Sequence, residues 1–164
     1  YSPMTSKEYE KVYKEFMLND DVFYISEHRS SYSNQKEFKN IVKTGFDLII
    51  MSISVTRFSA VKAVKDLTKL DYKIGIIHLV NLKPFGLEKK WIEAIKTSKH
   101  GVLMTDNDYK DGILRILAHK VNEKTNKNVH VMGLNDKTAG HHSSVDNLPP
   151  DSVAIKRKIL EIIK

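Results

Sequence analysis

The sequence predicts an α/β fold: three layers, with a mostly parallel (mixed) sheet and helices on both faces. Three observations carry this. From Phe46 onward, short apolar runs alternate with helical stretches of strand-to-strand crossover length. The run Asp47–Ser54 is apolar at nearly every position, as in strands covered on both faces. Strand–helix alternation also favours parallel pairing with right-handed crossovers.

The elements follow in order. Thr5–Met17 reads as a helix opened by a capping box, with Glu8 three residues after Thr5. Its Tyr9, Val12, Tyr13 and Phe16 share a face. Asn19-Asp20-Asp21 ends it, and Val22–Ile25 reads as a short buried strand. Residues 27–45 are polar and aperiodic, as in an inter-domain linker. The alternating region gives a strand at Asp47–Ser54 and a helix at Thr56–Leu70, with Phe58, Val61, Val64 and Leu67 facing inward. Next come a strand at Lys73–Val80, a helix at Leu87–Thr97 and a strand at Gly101–Thr105. A helix at Tyr109–Asn122 and a strand at Asn128–Met132 follow. After a loop rich in Gly, His, Ser and Pro, Asp151 caps a last helix with Ile155, Ile159, Ile162 and Ile163 as a stripe.

Composition bounds the function. The chain has 164 residues, 41% hydrophobic and 29% charged, as in one soluble domain or one domain with a piece of another. The net charge is +7, but lysines alternate with acids, so we expect a solvated surface and no nucleic-acid partner. The apolar runs are too short to span a bilayer, and no membrane partner is expected. No signal peptide is visible and there is no cysteine, which leads us to expect a cytoplasmic protein.

The motif search excludes more than it assigns. No Walker loop and no Gly-x-Gly-x-x-Gly follows a strand, and the turn Ser52–Thr56 lacks the glycines that let a pyrophosphate approach the backbone. Asp106–Gly112 imitates a calcium loop but puts Lys110, Asp111 and Leu117 where an oxygen ligand, a glycine and a glutamate belong. We read it as an acidic cluster at the start of the helix from Tyr109. His141, His142 and Asp146 are of metal-ligand type, but the spacing fits no metal motif, and no metal site is assigned. Glu27-His28-Arg29 fits either an acid/base cluster or a surface ion pair. The candidate catalytic residues are therefore His141, His142 and His28.

Five segments together resemble the transketolase-type thiamine-diphosphate family, above all the beta subunits of 2-oxoacid (pyruvate or branched-chain) dehydrogenases. Pro3–Glu8 with Asp20–His28 and Tyr32 resembles the end of the pyrimidine-binding domain. Gly45–Ser52 resembles the opening of the C-terminal domain, and Ala60–Leu67 its first helix. Ile77–Phe85 resembles the strand that ends in Leu-Lys-Pro. Gly133 and Leu148-Pro149 match a glycine of the last strand region and the pair before the terminal helix. Two departures stand out: Ser54 replaces a glycine, and His78 replaces an acid.

The resemblance implies that residues 1–26 are the last helix and strand of a truncated pyrimidine-binding domain, 27–45 a linker, and 46–164 a transketolase C-terminal-like domain. It implies a parent enzyme that uses thiamine diphosphate and Mg²⁺, and a fragment that binds neither. The catalytic residues of the parent would lie upstream of Tyr1, leaving this fragment inactive. Partners would be a homodimer or an α/β heterotetramer, and an acyltransferase core. Two other readings stay open: a non-catalytic interaction module of the same fold, and a fragment of transketolase or deoxyxylulose-phosphate synthase.

Overall fold

The computed structural model describes residues 1–138, 140, 142, 144 and 146–164. Four strands, β1 (Leu48–Ile53), β2 (Ile74–Leu79), β3 (Val102–Tyr109) and β4 (Val129–Leu134), form one sheet in the order β2-β1-β3-β4. All three pairings are parallel, with Leu48 opposite Ile74 and Val102 opposite Val129. The antiparallel part of the expected mixed sheet is one bridge, in which Ile41 and Ile76 exchange bonds of 2.8 and 3.0 Å.

Alternate residues of a strand point to opposite faces. Leu48, Ile50, Ile76 and Leu103 therefore meet α2 (Thr56–Thr68) and α5 (Ser152–Ile163) on one side. Ile49, Met51, Ile77 and Met104 meet α3 (Lys89–Thr97) and α4 (Ile113–Thr125) on the other. All six residues of β1 are buried, so its run of apolar side chains has a physical cause on both faces. Each such Ile or Leu contributes about 1.5–3 kcal/mol on burial.

The N-terminal helix α1 (Ser6–Met17) opens on Thr5, whose Oγ1 accepts the Glu8 N–H at 3.3 Å. The Glu8 carboxylate reaches back past Thr5 to accept the Met4 N–H at 2.9 Å. The capping box thus closes one residue further upstream than its usual form.

Four expectations need correction. Val22–Ile25 is not a strand. Its backbone bonds run to Tyr1, through Tyr1 N to the Tyr24 carbonyl (2.8 Å) and Ser26 N to the Tyr1 carbonyl (2.9 Å), and Val22 is fully exposed. The strand expected to stop at Thr105 continues to Tyr109 through an irregular register, and the next helix starts at Ile113. Asp106–Tyr109 therefore precedes no helix dipole. On α2, Ala60, Ala63, Val64 and Leu67 face the sheet, whereas Val61 is 41% exposed. Strict i, i+3 spacing drifts round a helix of 3.6 residues per turn, so Val64 and Leu67 stay on the buried face while Val61 leaves it.

Residues 27–45 also carry more contacts than their lack of period suggests. Asn34 donates to the Met4 carbonyl (2.9 Å), Glu37 accepts from Thr5 Oγ1 (2.6 Å), and Asn40 accepts the His78 N–H (2.8 Å). These side-chain bonds leave no imprint on hydropathy, so the segment reads as a linker while strapping α1 to the sheet edge.

Candidate functional site

The chain turns from β1 through α2 to β2 on one side, and from β2 through α3 back to β3 on the other. The switch point therefore lies between β1 and β3, and open α/β sheets place ligands beyond the strand carboxyl ends there. A cleft of about 670 Å³ occupies that place, lined by Tyr1, Tyr24, Ser54, Lys83 and Asp106 among others. Such a volume suits a small molecule.

A buried polar layer lies next to the cleft lining. Ser52 Oγ and Thr105 Oγ1 share a hydrogen bond of 2.6 Å, and Thr56 Oγ1 donates to the Ile53 carbonyl at 2.7 Å. Parallel pairing of Ser52 with Thr105 brings the first two together. Thr56 starts α2 and reaches the same point. Ser54, where the resembling family has glycine, adopts φ +50°. That left-handed conformation is strained for a residue with a side chain and easy for glycine.

Asp106 is 4% exposed, and its carboxylate accepts the Asn107 N–H at 2.8 Å. Burial, with a smaller push from Asp108, raises its pKa to about 6. The cleft thus sets two carboxylates, Asp106 and Asp108, against a single lysine, Lys83. That is the wrong sign for a diphosphate, and the Ser52–Thr56 turn has no glycine for close approach. No group of three or more His, Cys, Asp or Glu side chains suited to a metal is found among the described residues. This lining does not suit a diphosphate group.

A second polar cluster sits behind the edge strand. His78 is 6% exposed, and neither ring nitrogen has a partner. Its ring lies 4.8 Å from that of Phe38, and the Arg57 guanidinium sits 4.4 Å over the other ring. Burial first, and the Arg57 charge second, hold the imidazole pKa down to about 3. The depressed pKa leaves the ring neutral, and it packs at a tilt against Phe38, an arrangement that suits packing rather than proton transfer.

The residues singled out from sequence do not converge. His28 caps the 3₁₀ turn Arg29–Ser31, its Nδ1 accepting the Ser30 N–H at 3.1 Å. Glu27 accepts from Tyr13 Oη at 2.9 Å. His142 is exposed and meets Ser144 Oγ at 2.8 Å, and Asp146 pairs with Lys137 at 2.7 Å. His141 lies outside the described residues. Sequence reasoning passed over Asn147, which is buried. Its Oδ1 accepts the Asn135 N–H (2.9 Å), and its Nδ2 reaches the Lys137 and Thr138 carbonyls (2.8 and 3.0 Å). One asparagine therefore pins both ends of the loop, and the only sequence signal was a lone amide before Leu148-Pro149.

The fold and the switch-point cleft define an all-parallel α/β domain with helices on both faces. The chain belongs to the transketolase C-terminal domain family, whose model matches residues 39–156. A 76-residue stretch is 36% identical to the pyruvate dehydrogenase E1 component subunit beta of Mesostigma viride, covering 46% of this chain and 23% of that protein. The match thus spans about a quarter of the relative's length. Among solved structures, a split-gene transketolase described as an inactive beta4 tetramer superposes with TM-score 0.62 at 16% identity. That superposition covers 80% of this chain and 43% of the other. A 2-oxoglutarate:ferredoxin oxidoreductase from Magnetococcus marinus gives TM-score 0.57 at 17% identity, covering 77% and 20%. These two likenesses establish the fold. Among the described residues no helix is long and apolar enough to cross a membrane.

Proposed function

We propose that this chain is the C-terminal, non-catalytic part of a thiamine-diphosphate enzyme of the 2-oxoacid dehydrogenase beta-subunit type, serving subunit packing and partner docking. The observation that carries the reading is the family match over residues 39–156, together with 36% identity to a pyruvate dehydrogenase beta subunit. The electrostatics of the cleft agree with it, because buried Asp106 beside Asp108 repels a diphosphate. Catalysis would come from residues outside this chain. The division into an appendage (1–26), a connecting strap (27–45) and a C-terminal domain (46–164) belongs to the same proposal.

Calorimetry of the chain with thiamine diphosphate and Mg²⁺ tests it. We expect no heat beyond dilution, and no 2-oxoacid turnover. Saturable cofactor binding at micromolar concentration, or turnover by the isolated chain, would overturn the reading.

A further inference from the structure

An apolar groove of about 740 Å³ runs between α2 and the strap, on the outer side of the edge strand. Its floor is Phe38, Ile41, Phe58, Val61, Val64 and Ile76. Phe38 and Phe58 meet edge-on, with centroids 5.0 Å apart, so the floor is packed rather than loose. Val61 is 41% exposed and Ile41 44%, so apolar surface faces outward there. The strap that forms one wall is fixed at both ends, by Asn34 to the Met4 carbonyl (2.9 Å) and by the Ile41–Ile76 bridge.

The rim is cationic. Lys36, Lys39, Lys65 and Lys69 line it, against one acid, Glu37. That acid is already engaged, accepting from Thr5 Oγ1 and from the Lys7 N–H (3.3 Å). Lys36, Lys39 and Lys65 have no carboxylate partner among the described residues, whereas Lys69 is held by Asp66 at 3.5 Å. Carbon at the bottom with unpaired ammonium groups at the edge is complementary to one kind of molecule. We infer that this groove binds an amphiphilic carboxylate, a linear acyl chain lying on Phe38, Phe58 and Val61 with its carboxylate among Lys36, Lys39 and Lys65. The volume is that of a ligand pocket. The apolar floor supplies affinity by burial, and the lysines select the head group. The groove is remote from the switch-point cleft, so this inference does not depend on the proposed role of the chain.

The test uses the 164-residue chain and decanoate below its micelle concentration, followed by calorimetry and by backbone amide shifts. One-to-one binding is expected, with shifts confined to α2 and residues 36–41. Replacing decanoate by decanol should weaken binding about tenfold, because the lysines lose their counter-charge. Val61→Asp should weaken it by a similar factor, and Lys65→Glu by about threefold to tenfold. Both positions lie on the outer surface of α2, and circular dichroism confirms that each variant folds. Equal affinity for decanol and decanoate, shifts elsewhere, or no binding would overturn the inference. So would concentration-dependent dimerisation abolished by Val61→Asp, which would make a second copy of the chain the occupant.

Discussion

The Arg57 guanidinium is fully buried, and it is clasped by both oxygens of Glu8, 49 residues earlier in the chain. One of the two bonds, Nη1 to Oε2, measures 2.8 Å. Arg57 belongs to the C-terminal domain and Glu8 to the N-terminal helix, so the contact joins the two ends of the proposed division. Removing one partner of a buried pair costs about 3–5 kcal/mol, because the other charge is left without compensation. Glu8→Gln should therefore destabilise the chain by roughly that amount in urea unfolding. A chain of residues 27–164 should fold but unfold at markedly lower urea, and Arg57→Leu in that background should restore much of the loss. Unfolding of both shortened chains at zero urea would refute a self-standing C-terminal domain.

Stability should depend on pH through two buried groups of opposite sense. His78 has a folded pKa of about 3, below its ordinary 6.5. The unfolded chain therefore binds the extra proton between those values, and stability falls as pH drops from about 6.5 towards 3. Asp106 has a folded pKa of about 6, above its ordinary 3.8. The folded chain holds that proton longer, so this term lowers stability as pH rises from about 4 to 6. At neutral pH Asp106→Asn should stabilise by on the order of 2–3 kcal/mol. His78→Phe should flatten the acid limb and remove two unpartnered nitrogens, making it neutral or stabilising at pH 5. Denaturation midpoints measured from pH 4 to 8 distinguish the two. An unchanged acid limb in His78→Phe would show that the imidazole is solvated.

Much of this architecture was legible in the sequence, for a physical reason. Strands buried on both faces must be apolar throughout, and Leu48–Ile53 and Ile74–Leu79 therefore stand out in any reading. The helix boundary at Tyr109 is hidden in the sequence because Asp106 and Asp108 resemble a helix start, whereas Asp106 is buried within the irregular stretch of β3. The strap escaped notice because Asn34, Glu37 and Asn40 bind through polar side chains to distant backbone, which no periodicity records. The candidate histidines stand out by residue type and, for His28, by its place between Glu27 and Arg29. His28 and His142 each make local bonds within two residues of themselves, and nothing in a linear pattern separates such a turn from a site.

Gly133 has a reason that the sequence could only hint at. The irregular stretch of β3 folds over β4, and a Cβ on Gly133 would stand 2.5 Å from the Asp108 carbonyl oxygen and 3.0 Å from the Lys110 nitrogen. Both obstacles are backbone, so no side chain can swing aside. Gly133→Ala should cost about 1–3 kcal/mol by overpacking. Amide shifts should move in Thr105–Lys110 as well as in β4. A variant as stable as the parent chain would mean that the β3 irregularity relaxes freely.

Self-association should run through the N-terminal segment rather than the last helix. The apolar stripe of α5 is used up within the chain, for Ile155 and Ile159 are fully buried, and Leu160, Ile162 and Ile163 pack against the same core. Large apolar side chains are exposed elsewhere: Met17, Leu18, Val22 and Tyr24 stand mostly or wholly in solvent. They surround Phe16 and Phe23, whose rings meet edge-on at 5.5 Å, while Phe23 stacks on Tyr1 at 5.2 Å. The segment thus has an ordered aromatic base under its exposed apolar tips. Apolar surface of this kind marks an interface more often than a solvated face, and a twofold contact is the commonest way to cover it. Sedimentation of the chain at rising concentration should show a dimer, and Leu18→Glu with Val22→Glu should return it to monomer without loss of helix content. Replacing exposed Val153 on α5 by Glu serves as the control and should leave the dimer intact. If the Val153 variant dissociates while the Leu18 and Val22 variant does not, the last helix is the interface after all. A chain that stays monomeric throughout would remove self-association from the proposed role, leaving docking of a different subunit as the use of this surface.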